Sequence, residues 1–389
     1  MPGVGVVNRG AEAFVVELCR RLAERPGFEV CLFGRGPAPE AALGAAAFTR
    51  IRALRRDQPW LGALYRATRL GRKALDTLFL DPLSVEWYTA ALSALPKLWR
   101  GDFDVVVMEG GLVGAWACRL LRRWRGVPFV DIAHGLDPKW EGAFARQRPD
   151  RVVTFTAAAA DMLRRRAPRA RLVVIPHGID LDRFQPAAGR TAEEGADRSE
   201  RQRILCVGAV DDHKRMHLTV EAVARLGAGA SLTVLGDGPE AAALDRLATA
   251  RLGAGRYRRQ VVPRDEMPAW YRGADCFTLP SRTESFGLVY LEALACGVPA
   301  VAPDDAVRRE VIGDAGLFCD VTDLDAYAQT LAAALAHGWG DLPRRRAELF
   351  PIAKTVSAYA EMLEMLTARR PGAAPPASAP IRPGRPSQR

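Results

Sequence analysis

At 389 residues the chain exceeds the size at which a single hydrophobic core stops growing, so two domains of ordinary size are expected. With 49% hydrophobic residues and no apolar run near the roughly 18 to 20 residues that span a bilayer, the composition excludes a disordered chain and a membrane-spanning helix. A net charge of +10 suits nucleic acid, anionic lipid and phosphorylated ligands alike and does not choose among them.

The first residues lack the order of a secretion signal, which predicts a cytoplasmic protein. A short apolar run at 4–7 precedes Asn8-Arg9-Gly10-Ala11-Glu12. A doubly wound domain should open with a full strand, so the first strand is expected to be short or the start misplaced. Strands are then predicted at 28–33, 104–108, 128–132, 151–155 and 172–175, with helices filling the gaps, the pattern of a parallel sheet covered by helices.

Residues 186–202 are charged and almost free of large apolar side chains, and read as a linker between an N-terminal domain (1–185) and a C-terminal one (203–350). The pattern restarts with strands predicted at 203–207, 231–235, 275–279 and 299–302, and helices at 216–226, 239–251 and 287–296. A last helix ending near residue 367 is expected to pack back on the first domain, and the Pro- and Gly-dense 369–389 reads as a disordered tail. The fold class is therefore α/β, two Rossmann-like doubly wound domains facing across a cleft.

The basic clusters at 50–56, 66–73, 119–125 and 164–171 all lie in the first half. They suit an acceptor held at a membrane, and no recognised nucleic-acid module accompanies them. Seven cysteines without a Cys-x-x-Cys pair argue against a disulfide framework or a zinc site.

The strongest local signal is Glu284-Ser285-Phe286-Gly287-Leu288-Val289-Tyr290-Leu291-Glu292, directly after the apolar run at 275–279. A carboxylate in the loop, a helix start near Gly287 and a second carboxylate inside the helix offer amides and acceptors to hydroxyl or phosphate oxygens. At about 1.5 Å per helical residue, Glu292 lies about 7 to 8 Å beyond Gly287, a span that fits a sugar and the ribose of one nucleotide.

Here the chain resembles the retaining GT-B glycosyltransferases of family 4, whose signature is two glutamates separated by seven residues. Gly10-Ala11-Glu12 resembles the end of the family's glycine-rich loop, and Ile175-Pro176-His177-Gly178-Ile179-Asp180 its interdomain segment. Gly236-Asp237-Gly238-Pro239-Glu240 and Leu291-Glu292-Ala293-Leu294-Ala295-Cys296-Gly297-Val298-Pro299 follow its pattern.

The resemblance implies that Glu284 binds donor-sugar hydroxyls and Glu292 the ribose, with the amides of Ser285, Phe286, Gly287 and Leu288 between them. It implies that Lys214, in the loop after Gly208, neutralises the leaving diphosphate, and that His134 faces the donor sugar. Gly10, Gly208, Gly236 and Gly238 would complete the donor site. Ala209 stands where the family usually has arginine, so Arg215 or Arg9 is a candidate second cation.

The implied reaction is transfer of a sugar from a UDP- or GDP-linked donor to an acceptor glycan or lipid-linked saccharide, a cell-envelope polysaccharide intermediate. It needs neither cofactor nor metal; Asp102-Phe103-Asp104 is not expected to hold one. The alternatives are a catalytically impaired sugar-nucleotide-binding protein, or a basic nucleic-acid-binding protein whose affinity falls steeply with salt.

Overall fold

The computed structural model describes residues 10–55, 58–61, 63, 81–134, 138–187, 201–253 and 255–368. The strand expected at 4–7, most of the linker and the tail after 368 lie outside them, as does Arg9. Among the described residues no helix is long and apolar enough to cross a membrane.

Every pairing between named strands is parallel, as the alternation of strand and helix requires. In the first half β1 (Cys31–Gly34) pairs with β2 (Ala47–Arg50), and β3 (Val106–Met108), β4 (Phe129–Ile132), β5 (Arg151–Thr154) and β6 (Leu172–Val174) form one sheet in that order. In the second half β7 (Gln202–Val207), β8 (Ala230–Leu235), β9 (Tyr257–Gln260), β10 (Cys276–Thr278), β11 (Ala300–Pro303) and β12 (Gly316–Cys319) make a six-stranded sheet. Its order is β12-β11-β10-β7-β8-β9, so β7 and β10 are the neighbours from which the chain winds in opposite directions. The loops after those two strands diverge and open a crevice at their carboxyl ends.

The strands missed by sequence, β2, β9 and β12, all lie at sheet edges. β9 reads Tyr-Arg-Arg-Gln and has no fully buried position, so the apolar run that marks a central strand is absent. β4, by contrast, is buried at every position.

Helix α1 (Gly10–Ala23) buries Phe14, Val15, Leu18 and Leu22 along one stripe while Glu17 pairs with Arg20 and Arg21 on the other side. α14 (Ile352–Thr367) packs against that helix: Arg25 donates to Ser357 at 3.2 Å, and the Thr355 hydroxyl donates to the Pro176 carbonyl at 2.9 Å. The chain thus passes between the two sheets twice, and the two passages are bonded to each other. Ile179 N–H donates to Phe350 O and Ile352 N–H to Ile179 O, both at 2.9 Å. A Cβ on Gly178 would lie 2.5 Å from Ile352 Cα, so only glycine permits this approach.

A second bond between the halves comes from α11 (Ala306–Ile312). Its Glu310 carboxylate accepts from the amides of Ala157 at 2.8 Å and Ala158 at 3.2 Å, at the start of α6 (Ala157–Arg166). A carboxylate there satisfies unpaired amides and suits the helix dipole. All seven cysteines are free thiols, and burial pushes Cys206, Cys276 and Cys296 up to about 12, so they act as small hydrophobes.

Asp131 is the exception inside β4. It is fully buried and neither oxygen finds a hydrogen bond of good geometry. Burial pushes its carboxyl up to about 7, against the smaller pulls of the Gly110 amide and His134. A carboxyl raised in the folded state leaves stability intact at low pH and removes it as pH rises from about 4 to about 7. Asp131→Asn is expected to gain stability relative to the parent across that window, by up to about 4 kcal/mol at pH 8. Urea melts of both proteins at pH 4.5 and pH 8 measure it; an equal difference at the two pH values would refute the assignment.

Candidate active site

The two loops at the β7/β10 crevice are laced together. The Asp211 carboxylate accepts from the Lys214 amide at 3.0 Å, and the Arg282 amide donates to the His213 carbonyl at 2.9 Å. Arg215, with a left-handed φ of 51°, places its guanidinium on the carbonyls of Pro280 at 2.8 Å and Ser281 at 3.4 Å. From this frame the Lys214 ammonium reaches the Glu284 carboxylate at 2.6 Å, both side chains being mostly buried. A cation and an acceptor separated by seventy positions in the chain thus share one point of the crevice.

The loop after β8 packs directly beneath. A Cβ on Gly236 would stand 1.8 Å from the Gly208 carbonyl oxygen, and one on Gly238 would stand 2.3 Å from that of Val210. The structure gives these glycines a packing reason: backbone against backbone, with Val210 N–H donating to Asp237 O at 3.0 Å.

Gly287, at φ 84° and ψ 58°, turns the chain into α10 (Leu288–Ala295), whose start no side chain caps. A Cβ there would lie 2.6 Å from the Tyr290 ring, so the turn requires glycine twice over. Ser285 and Phe286 lead into it; Phe286 is buried against His177 and Phe350, at 5.3 and 5.8 Å between ring centres, which anchors the loop and leaves its backbone to the crevice.

Four residues into α10, Glu292 is 6% exposed, not a surface charge. The Tyr271 hydroxyl donates to its Oε2 at 2.7 Å, and Arg264 stands 3.6 Å from its Oε1. Burial raises its pKa, opposed by Arg264 and the Tyr271 bond. Behind the Glu284 loop the fully buried Arg308 donates to the Ser281 carbonyl at 2.8 Å and hydroxyl at 2.6 Å.

The other wall belongs to the first half. Gly10, opening α1, has the Leu288 side chain within 3.9 Å of where its Cβ would be. His134 follows β4, 3.5 Å from the Glu109 carboxylate and with its ring 5.4 Å from Phe155. Phe155 stacks on His177 at 3.7 Å, and His177 meets Phe286. Burial holds His177 far below the usual histidine range, so it is a neutral ring in an aromatic seam. For His134 burial pulls down, but Glu109, Glu141 and Asp131 outweigh it and the pKa is raised.

The structure therefore gathers Gly10, His134, Lys214, Glu284, Ser285, Phe286, Gly287, Leu288 and Glu292 around one crevice, while Arg215 is engaged on main-chain carbonyls. Sequence reasoning missed Tyr271, Arg264, Glu109 and Arg308. A tyrosine after Trp270, four residues before a predicted strand, was the one signal for Tyr271. Asp102 is exposed and 4.0 Å from Arg125. Among the described residues no group of three or more His, Cys, Asp or Glu side chains could hold a metal ion.

Residues 8–183 match the model of Glycosyltransferase Family 4, and 201–337 that of Glycosyl transferases group 1. The D-inositol 3-phosphate glycosyltransferase of Salinispora arenicola is 30% identical over 93% of this chain and 88% of its own. The chain belongs to glycosyltransferase family 4. A GDP-mannose-dependent alpha-(1-6)-phosphatidylinositol monomannoside mannosyltransferase of Mycolicibacterium smegmatis is 32% identical over 47% of this chain and 50% of its own. The sucrose-phosphate synthase of Thermosynechococcus elongatus shares the fold, with a TM-score of 0.75 and 20% identity, over 94% of this chain and 97% of its own. This glycosyltransferase has the GT-B architecture and moves a sugar from a nucleotide-sugar donor to an acceptor.

Tyr271→Phe leaves a buried carboxylate without its hydroxyl donor, and should cost about 1 to 3 kcal/mol of stability. Urea denaturation at pH 8 measures the loss; a loss below about 0.5 kcal/mol would mean that another group satisfies Glu292.

Proposed function

We propose that this glycosyltransferase transfers its sugar with retention of anomeric configuration, from a UDP- or GDP-linked donor and without a metal ion. The observation that carries this reading is the Lys214–Glu284 contact at 2.6 Å, which sets a phosphate-binding cation beside a hydroxyl acceptor at the uncapped start of α10. Lys214 and the amides of Phe286 to Leu288 stabilise the charge that grows on the leaving diphosphate. Glu284 accepts from donor-sugar hydroxyls. Glu292, already held by Tyr271 and Arg264, keeps lone pairs for the two ribose hydroxyls. His134 faces the sugar from the opposite wall.

Closure of the halves excludes water and aligns the acceptor. The acceptor oxygen bonds to the anomeric carbon on the face that the diphosphate leaves, and a phosphate oxygen takes the acceptor's proton. No protein nucleophile is required. The relatives named for inositol 3-phosphate and phosphatidylinositol monomannoside support a polyol-bearing or lipid-linked saccharide acceptor. A lipid-linked acceptor fits a protein that works in the cytoplasm at the inner face of the membrane and serves a cell-envelope glycan.

Calorimetric titration with UDP- and GDP-sugars is expected to show binding of one series. Glu292→Gln should weaken that binding at least about tenfold, a loss of about 1.4 kcal/mol. Lys214→Met should lower kcat by about 100-fold or more with the fold intact. Proton NMR of the first product formed should show the donor's anomeric configuration; an inverted product would overturn the retaining mechanism.

A further inference from the structure

α3 (Pro82–Arg100) and α4 (Leu112–Arg125) lie side by side and run the same way. Trp87 stands level with Gly111 and Ala91 with Gly114, and the Arg125 guanidinium donates to the carbonyls of Trp99 and Gly101. Their inner faces are small and buried: Ala90 and Ala94 on α3, Ala115, Ala117, Cys118 and Leu121 on α4.

The outer faces differ from an ordinary solvated surface. Leu92 is 59% exposed, Trp99 39%, Trp116 58% and Trp124 71%. Leu92 and Trp99 are two turns apart on one side of α3, as Trp116 and Trp124 are on α4. The matched levels set Trp99 level with Trp124, and Trp116 extends the exposed side of α4. The same helices carry the exposed cations Arg100, Arg119 and Arg123, whereas the Lys97 ammonium is bonded to the Arg50 carbonyl. The one carboxylate in either helix is Glu86, which is buried. Single exposed apolar residues are unremarkable, but tryptophans and arginines together on two helices without an exposed carboxylate mark an interaction surface.

Tryptophan, apolar in body with a polar N–H, is the side chain of the membrane–water boundary, and arginine pairs with lipid phosphate above it. We propose that the α3–α4 face docks on an anionic lipid surface, with Trp99, Trp116 and Trp124 at head-group level and Arg100, Arg119 and Arg123 against lipid phosphates. This deepens the proposed acceptor class and rests on that reading for its purpose alone. Trp116 lies about 7.5 Å along α4 from Gly111. Two residues before Gly111, Glu109 touches His134 at the cleft, so the docked face brings a lipid-held acceptor beside the site.

The molecule carries its own control. α6 ends in Arg164-Arg165-Arg166 and exposes no large apolar side chain. Charge alone would draw this helix too, since its three arginines outnumber its single carboxylate, Asp161.

Flotation of the full chain with vesicles of phosphatidylcholine, with and without phosphatidylglycerol, tests the proposal. The chain is expected to float with the anionic vesicles, with a blue shift of tryptophan emission. Trp116→Ser combined with Trp124→Ser should lower that partitioning about tenfold or more, whereas Arg164→Glu with Arg165→Glu should change it less than twofold. Nucleotide-sugar binding unchanged in both variants shows that they fold. Absence of vesicle binding, loss in the α6 variant alone, binding to a single-stranded oligonucleotide in place of vesicles, or a dimer abolished by the tryptophan changes would each overturn it. Vesicle binding that persists where no nucleotide-sugar binds would sink the donor assignment and leave the docking face standing.

Discussion

The two passages of the chain between its halves are tied to each other, and the cleft depends on that tie. Ile179 donates to Phe350 and accepts from Ile352 across a contact that Gly178 alone can admit, and the Arg344 guanidinium fastens the same region to the carbonyls of Phe184 at 2.7 Å and Ala295 at 3.0 Å. Ala295 is the last residue of α10, the helix that carries Glu292. The double crossing and the helix that carries Glu292 are thus one mechanical unit. The aromatic seam of Phe155, His177 and Phe286 sits beside it, so both walls of the crevice are referred to one fixed point.

Strand order does the rest. Lys214 follows β7 and Glu284 follows β10, and these strands are neighbours only because the second sheet reverses its winding between them. Neither residue would meet the other in a sheet that continued in one direction. Around them the ionisable groups are buried but answered: Glu292 by Tyr271 and Arg264, Arg308 by Ser281 and Asp305. Buried charge of this kind adds little to stability and is costly to break, which makes it a rigid support for a site.

The alternation of strand and helix was legible because central strands such as β4 and β10 are short apolar runs, and the spacing of Glu284 and Glu292 was legible because a helix converts sequence distance into length. What escaped was tertiary. Tyr271 reaches Glu292 from a different helix, Glu109 meets His134 across two strands, and Tyr-Arg-Arg-Gln becomes β9 only because β8 offers an edge to pair with. The tryptophans of α4 look like core residues in a helical pattern; only the packing of α3 beside it shows that Trp116 and Trp124 are left outside.

Glu310, capping α6 from across the molecule, has a counterpart in the crevice itself. There the Lys214 ammonium and the Glu284 carboxylate neutralise each other at 2.6 Å. On the proposed reading a diphosphate must draw Lys214 away, and stranding Glu284 is offset only if a sugar hydroxyl arrives with it. A bare nucleotide brings half of that exchange. Once the sugar has gone to the acceptor, Glu284 competes again for its old partner, and the spent nucleotide diphosphate loses its hold. On that same reading the pair is a reset, favouring the loaded donor over its own by-product and clearing the cleft for the next turnover.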